Sequence, residues 1–361
     1  MSAIKLKARE IVTRIVMPGD IILVSGISGF LAAHVLSQLL EKGYSVRGTV
    51  RDEKKRDWIL EKYKTFVDEN RLQVIIVPDA AREDAFEEAV KGMTFVIHIA
   101  SPFHFKITDP KIDLLDPAII GTRGLLTHAA KHSSIKRVVI TSSFASILDP
   151  SYGWRPGYTY TEADWSPLTY EDGLAAKDDP FTAYRTSKVE AERTAWRFLE
   201  TEKPSFDIVT ICPPLIWGPM IHQVTLDTLN ESNRQLWDVI NGESNELPKT
   251  MTLMFADVRD VAKAHVSALA LDKANERFVI CRGEHSWQKA ADILRRRFPE
   301  KQSRVPIGNP GENLPPHYKL SAEKAKRSLA GFENGFIDYE TSLCDIAKQL
   351  WDMQAVKSFE H

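Results

Sequence analysis

Short β-branched runs alternate with longer amphipathic stretches between residues 20 and 214. The apolar runs at 21–25, 44–50, 72–77, 94–99, 137–142 and 207–212 predict strands. The segments near 30–42, 53–66, 83–91, 113–132 and 180–202 predict helices. Strands that are apolar throughout, separated by helices, imply a parallel sheet covered on both faces. Six such units predict an α/β fold, a doubly wound Rossmann-like sheet. Its ligand should lie beyond the carboxyl ends of the strands, where the strand order reverses.

After Pro214 the pattern loosens, because Pro, Gly, Asn and Trp interrupt it. A strand–helix unit at 252–271 and a strand near 277–281 are expected to return to the main sheet. A helix near 286–298, a Pro/Gly-rich loop at 306–316 and two short helices follow. The expected division is a nucleotide-binding domain of 1–212 and 252–280, with a smaller C-terminal substrate lobe of 213–251 and 281–361. An insert at 146–179 carries Tyr152, Trp154, Tyr158, Tyr160 and Trp165, enough aromatic surface to wall an apolar pocket.

Composition narrows the function classes. The 361 residues are 43% hydrophobic and 27% charged, with a net charge of −2. This balance gives no reason to expect nucleic acid or an anionic membrane as partner, and no apolar run reaches transmembrane length. Cys212, Cys281 and Cys344 are odd in number and scattered, as in a reduced, cytoplasmic protein. Residues 1–20 mix Lys5, Lys7, Arg9 and Arg14 with apolar residues, but Glu10 and the single serine argue against a transit peptide. No histidine has metal-ligand spacing, so no metal is expected, and His98, inside an apolar strand, reads as a hydrogen-bonded core histidine.

Two motifs carry chemistry. The first strand runs into Gly26-Ile27-Ser28-Gly29-Phe30-Leu31-Ala32 at the start of a helix. Gly26 suits a tight turn, Gly29 lets the backbone approach a pyrophosphate, and Ala32 allows close helix–strand packing. Ser28, Phe30 and Leu31 complete this candidate cofactor loop. The second strand ends at Arg51, where an acidic residue would pair the ribose hydroxyls of NAD; a guanidinium there matches a 2′-phosphate, and the expected cofactor is NADP(H). The second motif is Tyr184 and Lys188, four residues apart in a helix that Asp179 can cap and Pro180 can begin. That spacing places both side chains on one otherwise apolar face. A nearby ammonium should lower the phenol's pKa and make Tyr184 a proton donor.

Taken together, the chain resembles the extended short-chain dehydrogenase/reductases. It is most similar to the branch containing dihydroflavonol 4-reductase, cinnamoyl-CoA reductase and the fungal aldehyde and methylglyoxal reductases. The likeness rests on 26–32, on Val46-Arg47-Gly48-Thr49-Val50-Arg51-Asp52, His98-Ile99-Ala100-Ser101-Pro102 and Val139-Ile140-Thr141-Ser142-Ser143. It rests also on Tyr184 to Lys188, Pro213-Pro214-Leu215-Ile216-Trp217-Gly218-Pro219 and Phe255-Ala256-Asp257-Val258-Arg259-Asp260-Val261-Ala262. The resemblance implies an NADPH-dependent carbonyl reductase with Ser143, Tyr184 and Lys188 as catalytic residues. Ser142 is the local rival of Ser143, since neighbouring strand residues point to opposite faces. It also implies cofactor contacts from Asp79, Ala80, Ala100, Ser101, Pro213 and Ile216, and from Lys188 to the nicotinamide ribose. Phe103, Phe105, Phe144, Tyr152, Trp217 and Met220 stand just beyond strand ends and are candidates to line a pocket for a bulky, aromatic carbonyl substrate. A nucleotide-sugar epimerase or dehydratase, a hydroxysteroid-type dehydrogenase and a non-enzymatic cofactor sensor are the alternatives on the same sheet.

Overall fold

The structure is a computed structural model that describes residues 19–101, 107–272 and 275–359. Seven strands form the main sheet: β1 (Ile21–Val24), β2 (Ser45–Val50), β3 (Leu72–Ile76), β4 (Phe95–His98), β5 (Arg137–Thr141), β6 (Asp207–Cys212) and β7 (Glu276–Val279). All pairings are parallel, in the order β7-β6-β5-β4-β1-β2-β3. The order reverses between β1 and β4, so the crevice of a doubly wound sheet opens there. The central strands are buried along nearly their whole length, which is why their sequences show no in–out alternation.

Helices cover both faces. Phe30–Glu41 and Val258–Ala268 pack together on one face, and Asp116–Ala130 and Pro180–Glu202 on the other. The last of these follows the predicted bounds. Asp179 accepts hydrogen bonds from the N–H groups of Phe181 and Thr182 (3.1 Å each), Pro180 occupies the first turn, and Lys203 ends the helix in a left-handed conformation.

Four local expectations are corrected. The helix expected near 83–91 is a succession of turns. Three of its carbonyls are taken by tertiary donors instead: Glu83 O by His128 Nε2 (3.1 Å), and Ala89 O (3.1 Å) and Lys91 O (2.6 Å) by Arg47. The helix expected at 53–66 breaks at Tyr63 into Glu53–Lys62 and Lys64–Asp68. In the 252–280 unit only β7 joins the main sheet. Met254–Asp257 pairs with Leu215–Trp217 and Gly283–Glu284 in a separate three-stranded sheet. Of the two helices after the loop, Glu323–Ser328 is short as expected, but the C-terminal one, Tyr339–Phe359, is long. It closes a second core in which Trp217, Trp237, Phe255, Trp287, Tyr339 and Trp351 pack with Leu236 and Leu343.

Candidate active site

The turn after β1 sets the geometry. Gly26 has φ +72°, and a Cβ there would meet the Ala100 Cβ at 3.3 Å. Its N–H donates to Thr49 Oγ1 (3.0 Å) at the end of β2. Ser25 Oγ accepts from the N–H groups of Ile99 (2.8 Å) and Ala100 (2.9 Å) and bonds His98 Nδ1 (3.0 Å), tying the ends of β1 and β4 together. Ile27 is fully buried and fills the space at Gly48, where an added Cβ would lie 2.2 Å from its Cδ1. No side chain caps the Phe30–Glu41 helix, so its first N–H groups are left for a ligand.

A cleft of about 920 Å³ runs along the carboxyl ends of the strands. Gly26, Ser28, Gly29, Phe30, Leu31, Arg51, Asp79, Ala80, Ala100, Ser101, Ser143, Tyr184, Lys188, Pro213 and Ile216 all line it. Gly26, Gly29 and the uncapped helix start line the cleft and fit a pyrophosphate, and a cleft across the switch point fits a dinucleotide. Arg51 has no hydrogen-bond or ion-pair partner among the described residues and stands near Lys55 in the cleft wall. The acidic neighbour Asp52 is turned away to cap the next helix, accepting from Lys55 N–H (2.9 Å). Asp79 accepts from Ala81 N–H (2.9 Å) at the far end.

Ser143, Tyr184 and Lys188 meet in the middle of this cleft. Ser143 caps the short turn Phe144–Ser146, its hydroxyl accepting from Ala145 N–H (3.1 Å), and it hydrogen-bonds Tyr184. Lys188 Nζ donates to Ser101 Oγ (2.8 Å) and lies 5.8 Å from the centroid of the Tyr184 ring. Burial pushes the phenol up to about 12, with only the Ser143 hydrogen bond pulling it back, and burial pushes Lys188 down to about 8. The expected lowering of the Tyr184 pKa by the ammonium is therefore not present here, because desolvation of both groups dominates. Tyr184 is held as a neutral phenol across the neutral range. The two serines also have separate environments. Ser142 Oγ donates to the buried Glu192 carboxylate (2.6 Å).

The aromatic guesses fare differently. Phe144 lines the cleft. Trp217 and Met220 do not: both are buried in the second core, where Trp217 Nε1 donates to Ser232 O (3.0 Å) and its ring packs on His285 and Trp287. Tyr152 is 59% exposed, beneath the Arg155 guanidinium (4.3 Å). Phe103 and Phe105 lie outside the described residues. The other insert aromatics pack on one another and on Arg155 and Arg277 and do not wall the cleft: Tyr158 meets Tyr160 at 4.9 Å, and Arg277 covers Trp165 at 3.7 Å. Side chains not singled out in the sequence take that place: Ile112, Leu148, Phe181, Arg185, Leu215, Met251 and Tyr318. They come from six separate segments, so no local pattern marks them. His98 is a buried core histidine, held neutral with its pKa lowered to about 4 by desolvation. No cluster of metal-binding side chains occurs among the described residues.

Comparison with known proteins agrees with the fold. The chain is 39% identical over 319 residues to ketoreductase azaE of Aspergillus niger, covering 85% of this chain and 91% of that one. It is 33% identical over 308 residues to cinnamoyl-CoA reductase CAD2 of Medicago truncatula, covering 85% and 90%. Yeast methylglyoxal/isovaleraldehyde reductase Gre2, solved in complex with NADPH, superposes with a TM-score of 0.85 at 32% identity, over 93% of this chain and 99% of that one. The NAD dependent epimerase/dehydratase family profile matches residues 22–281, and the chain belongs to that family, among its extended short-chain reductases.

Proposed function

We propose that this oxidoreductase is an NADPH-dependent carbonyl reductase that takes a bulky, apolar-bodied ketone or aldehyde. The observation that carries the reading is the meeting of Ser143, Tyr184 and Lys188 midway along a cleft whose one end fits a dinucleotide. Residues 26 and 28–31 would hold the pyrophosphate, Arg51 the 2′-phosphate, and Asp79 and Ala80 the adenine. Ala100, Ser101, Pro213, Ile216, Tyr184 and Lys188 would hold the nicotinamide half. NADPH, when bound, supplies the hydride. The hydroxyls of Ser143 and Tyr184 then donate to the carbonyl oxygen as negative charge builds on it, and Tyr184 gives up its proton. Lys188 supplies positive charge near that oxygen and is fixed by Ser101.

The substrate would enter from the lobe proposed at 213–251 and 281–361, past Leu215, Met251, Phe181 and Tyr318. Met251 and Ile112 are both more than half exposed at the cleft, an apolar lip that suits an apolar body. The test is NADPH oxidation with aryl and other bulky ketones, methylglyoxal and sugars as substrates. Turnover should favour the bulky ketones, and turnover of sugars alone would refute the substrate class. Arg51→Ala should lower kcat/KM for NADPH roughly 10-fold or more while changing that for NADH little. Equal losses with both cofactors would remove Arg51 from the 2′-phosphate site.

A further inference from the structure

The Pro180–Glu202 helix carries a third polar residue on the same face as Tyr184 and Lys188, one turn beyond the lysine. Glu192 is 1% exposed, and its carboxylate is surrounded by donors. Arg277 Nε (2.8 Å), Thr210 Oγ1 (2.7 Å) and Trp196 Nε1 (3.2 Å) donate to Oε1. Ser142 Oγ (2.6 Å), Arg277 Nη2 (3.2 Å) and Ser146 Oγ reach Oε2. Burial alone would push this carboxyl up, but Arg277 and the hydroxyl donors outweigh it and hold it below its ordinary value. Arg277 in turn donates through Nη1 to the carbonyls of Glu162 and Asp164 (2.8 Å each).

The donors from residues 142 and 146 bracket the short turn that begins at Ser143. Ser142 immediately precedes Ser143, and Ser146 Oγ also reaches Ser143 O (2.7 Å), closing the turn that Ser143 caps. A fully buried ion pair is weak support for stability, since well-packed apolar residues often do as well. What it fixes is geometry, because each of its bonds has one direction and one length. The same helix face therefore presents the phenol to the cleft and, two turns on, anchors both ends of the turn bearing the hydroxyl that must meet the same oxygen.

We infer that Glu192 and Arg277 are a positioning pair that sets the Ser143 hydroxyl relative to Tyr184 from behind the active site. The inference rests on the proposed reductase mechanism, in which Ser143 donates to the carbonyl oxygen. It gives the 146–179 insert a task other than walling the pocket: its 162–164 segment is the far clamp on Arg277.

A kinetic cycle tests it. Glu192→Gln is made in the parent chain and in Ser143→Ala, with circular dichroism and the NADPH dissociation constant confirming folded, cofactor-competent protein. In the parent background Glu192→Gln should lower kcat about 10–100-fold, with the NADPH dissociation constant changed by less than about threefold. In the Ser143→Ala background it should lower kcat little further, because the hydroxyl it positions is gone. An equal loss in both backgrounds, or a folded variant with unchanged kcat, would overturn the inference. If Glu192→Gln fails to fold with Arg277 left unpaired, Ser146→Ala, which removes one neutral hydroxyl of the bracket, carries the same cycle with the same criteria. Full turnover by Ser143→Ala itself would overturn the reductase mechanism, and the pair's role with it, so the two failures read differently.

Discussion

Lys188 shows how function and stability oppose each other at single residues. Its ammonium is buried, bonded to Ser101, and its pKa is pushed from the ordinary 10.5 to about 8 by desolvation. The folded state therefore disfavours the charged form. The penalty is fully present below about pH 8 and disappears as pH rises from about 8 toward 10.5, where the unfolded chain also loses its proton. That shift corresponds to roughly 3 kcal/mol at neutral pH. Lys188→Met should accordingly melt at a higher temperature while losing most of its kcat, and a lower melting temperature would show that the ammonium stabilises the fold. In the parent protein, the part of kcat that depends on the ammonium should fall as pH rises through about 8. A flat profile from pH 7 to 9 would contradict the role given to its charge. Single residues also mark what can be read from sequence. The Tyr184–Lys188 spacing and the glycines at 26 and 29 announce themselves, because each needs only local geometry. The fit of Ile27 into the space at Gly48 does not, because it depends on which residue of β2 faces the first turn. Nor does the weight of desolvation at Tyr184, which reverses the expected direction of the tyrosine's pKa.

Whole elements were more legible than their surroundings. The strands of the main sheet are continuous β-branched runs whose register follows from a parallel ladder, and the Pro180–Glu202 helix begins and ends where its cap, its proline and its left-handed Lys203 dictate. The turns at 83–91 were missed because donors from distant residues claim carbonyls that a helix would have used. Trp217 and Met220 were placed in the pocket because position beyond a strand end does not say toward which core the chain turns. The helix start matters for chemistry because Tyr184 lies in its second turn. Asp179→Ala should cost about 1 kcal/mol of stability through loss of the cap. It should also lower kcat severalfold as the first turns fray, with a smaller effect on the NADPH dissociation constant. An unchanged kcat would mean that the sheet alone fixes the tyrosine.

At the scale of the molecule, the site lies where two constructions meet. The main sheet contributes the nucleotide end of the cleft, and the chain from Pro213 onward, through the small sheet and its helices, contributes much of the other end. No described helix is long and apolar enough to cross a membrane. The alternation of strands and helices made the first construction readable. The second was not, because its walls come from scattered positions such as Phe181, Met251 and Tyr318 that share no periodicity. The central claim is that one buried phenol in this cleft delivers the proton that completes carbonyl reduction. Its most direct measurement is kcat for Tyr184→Phe at saturating NADPH and ketone, with the NADPH dissociation constant measured on the same sample. The account predicts a loss of about 10²–10⁴ in kcat with cofactor affinity nearly intact; turnover within tenfold of the parent, with NADPH still bound as tightly, would contradict it.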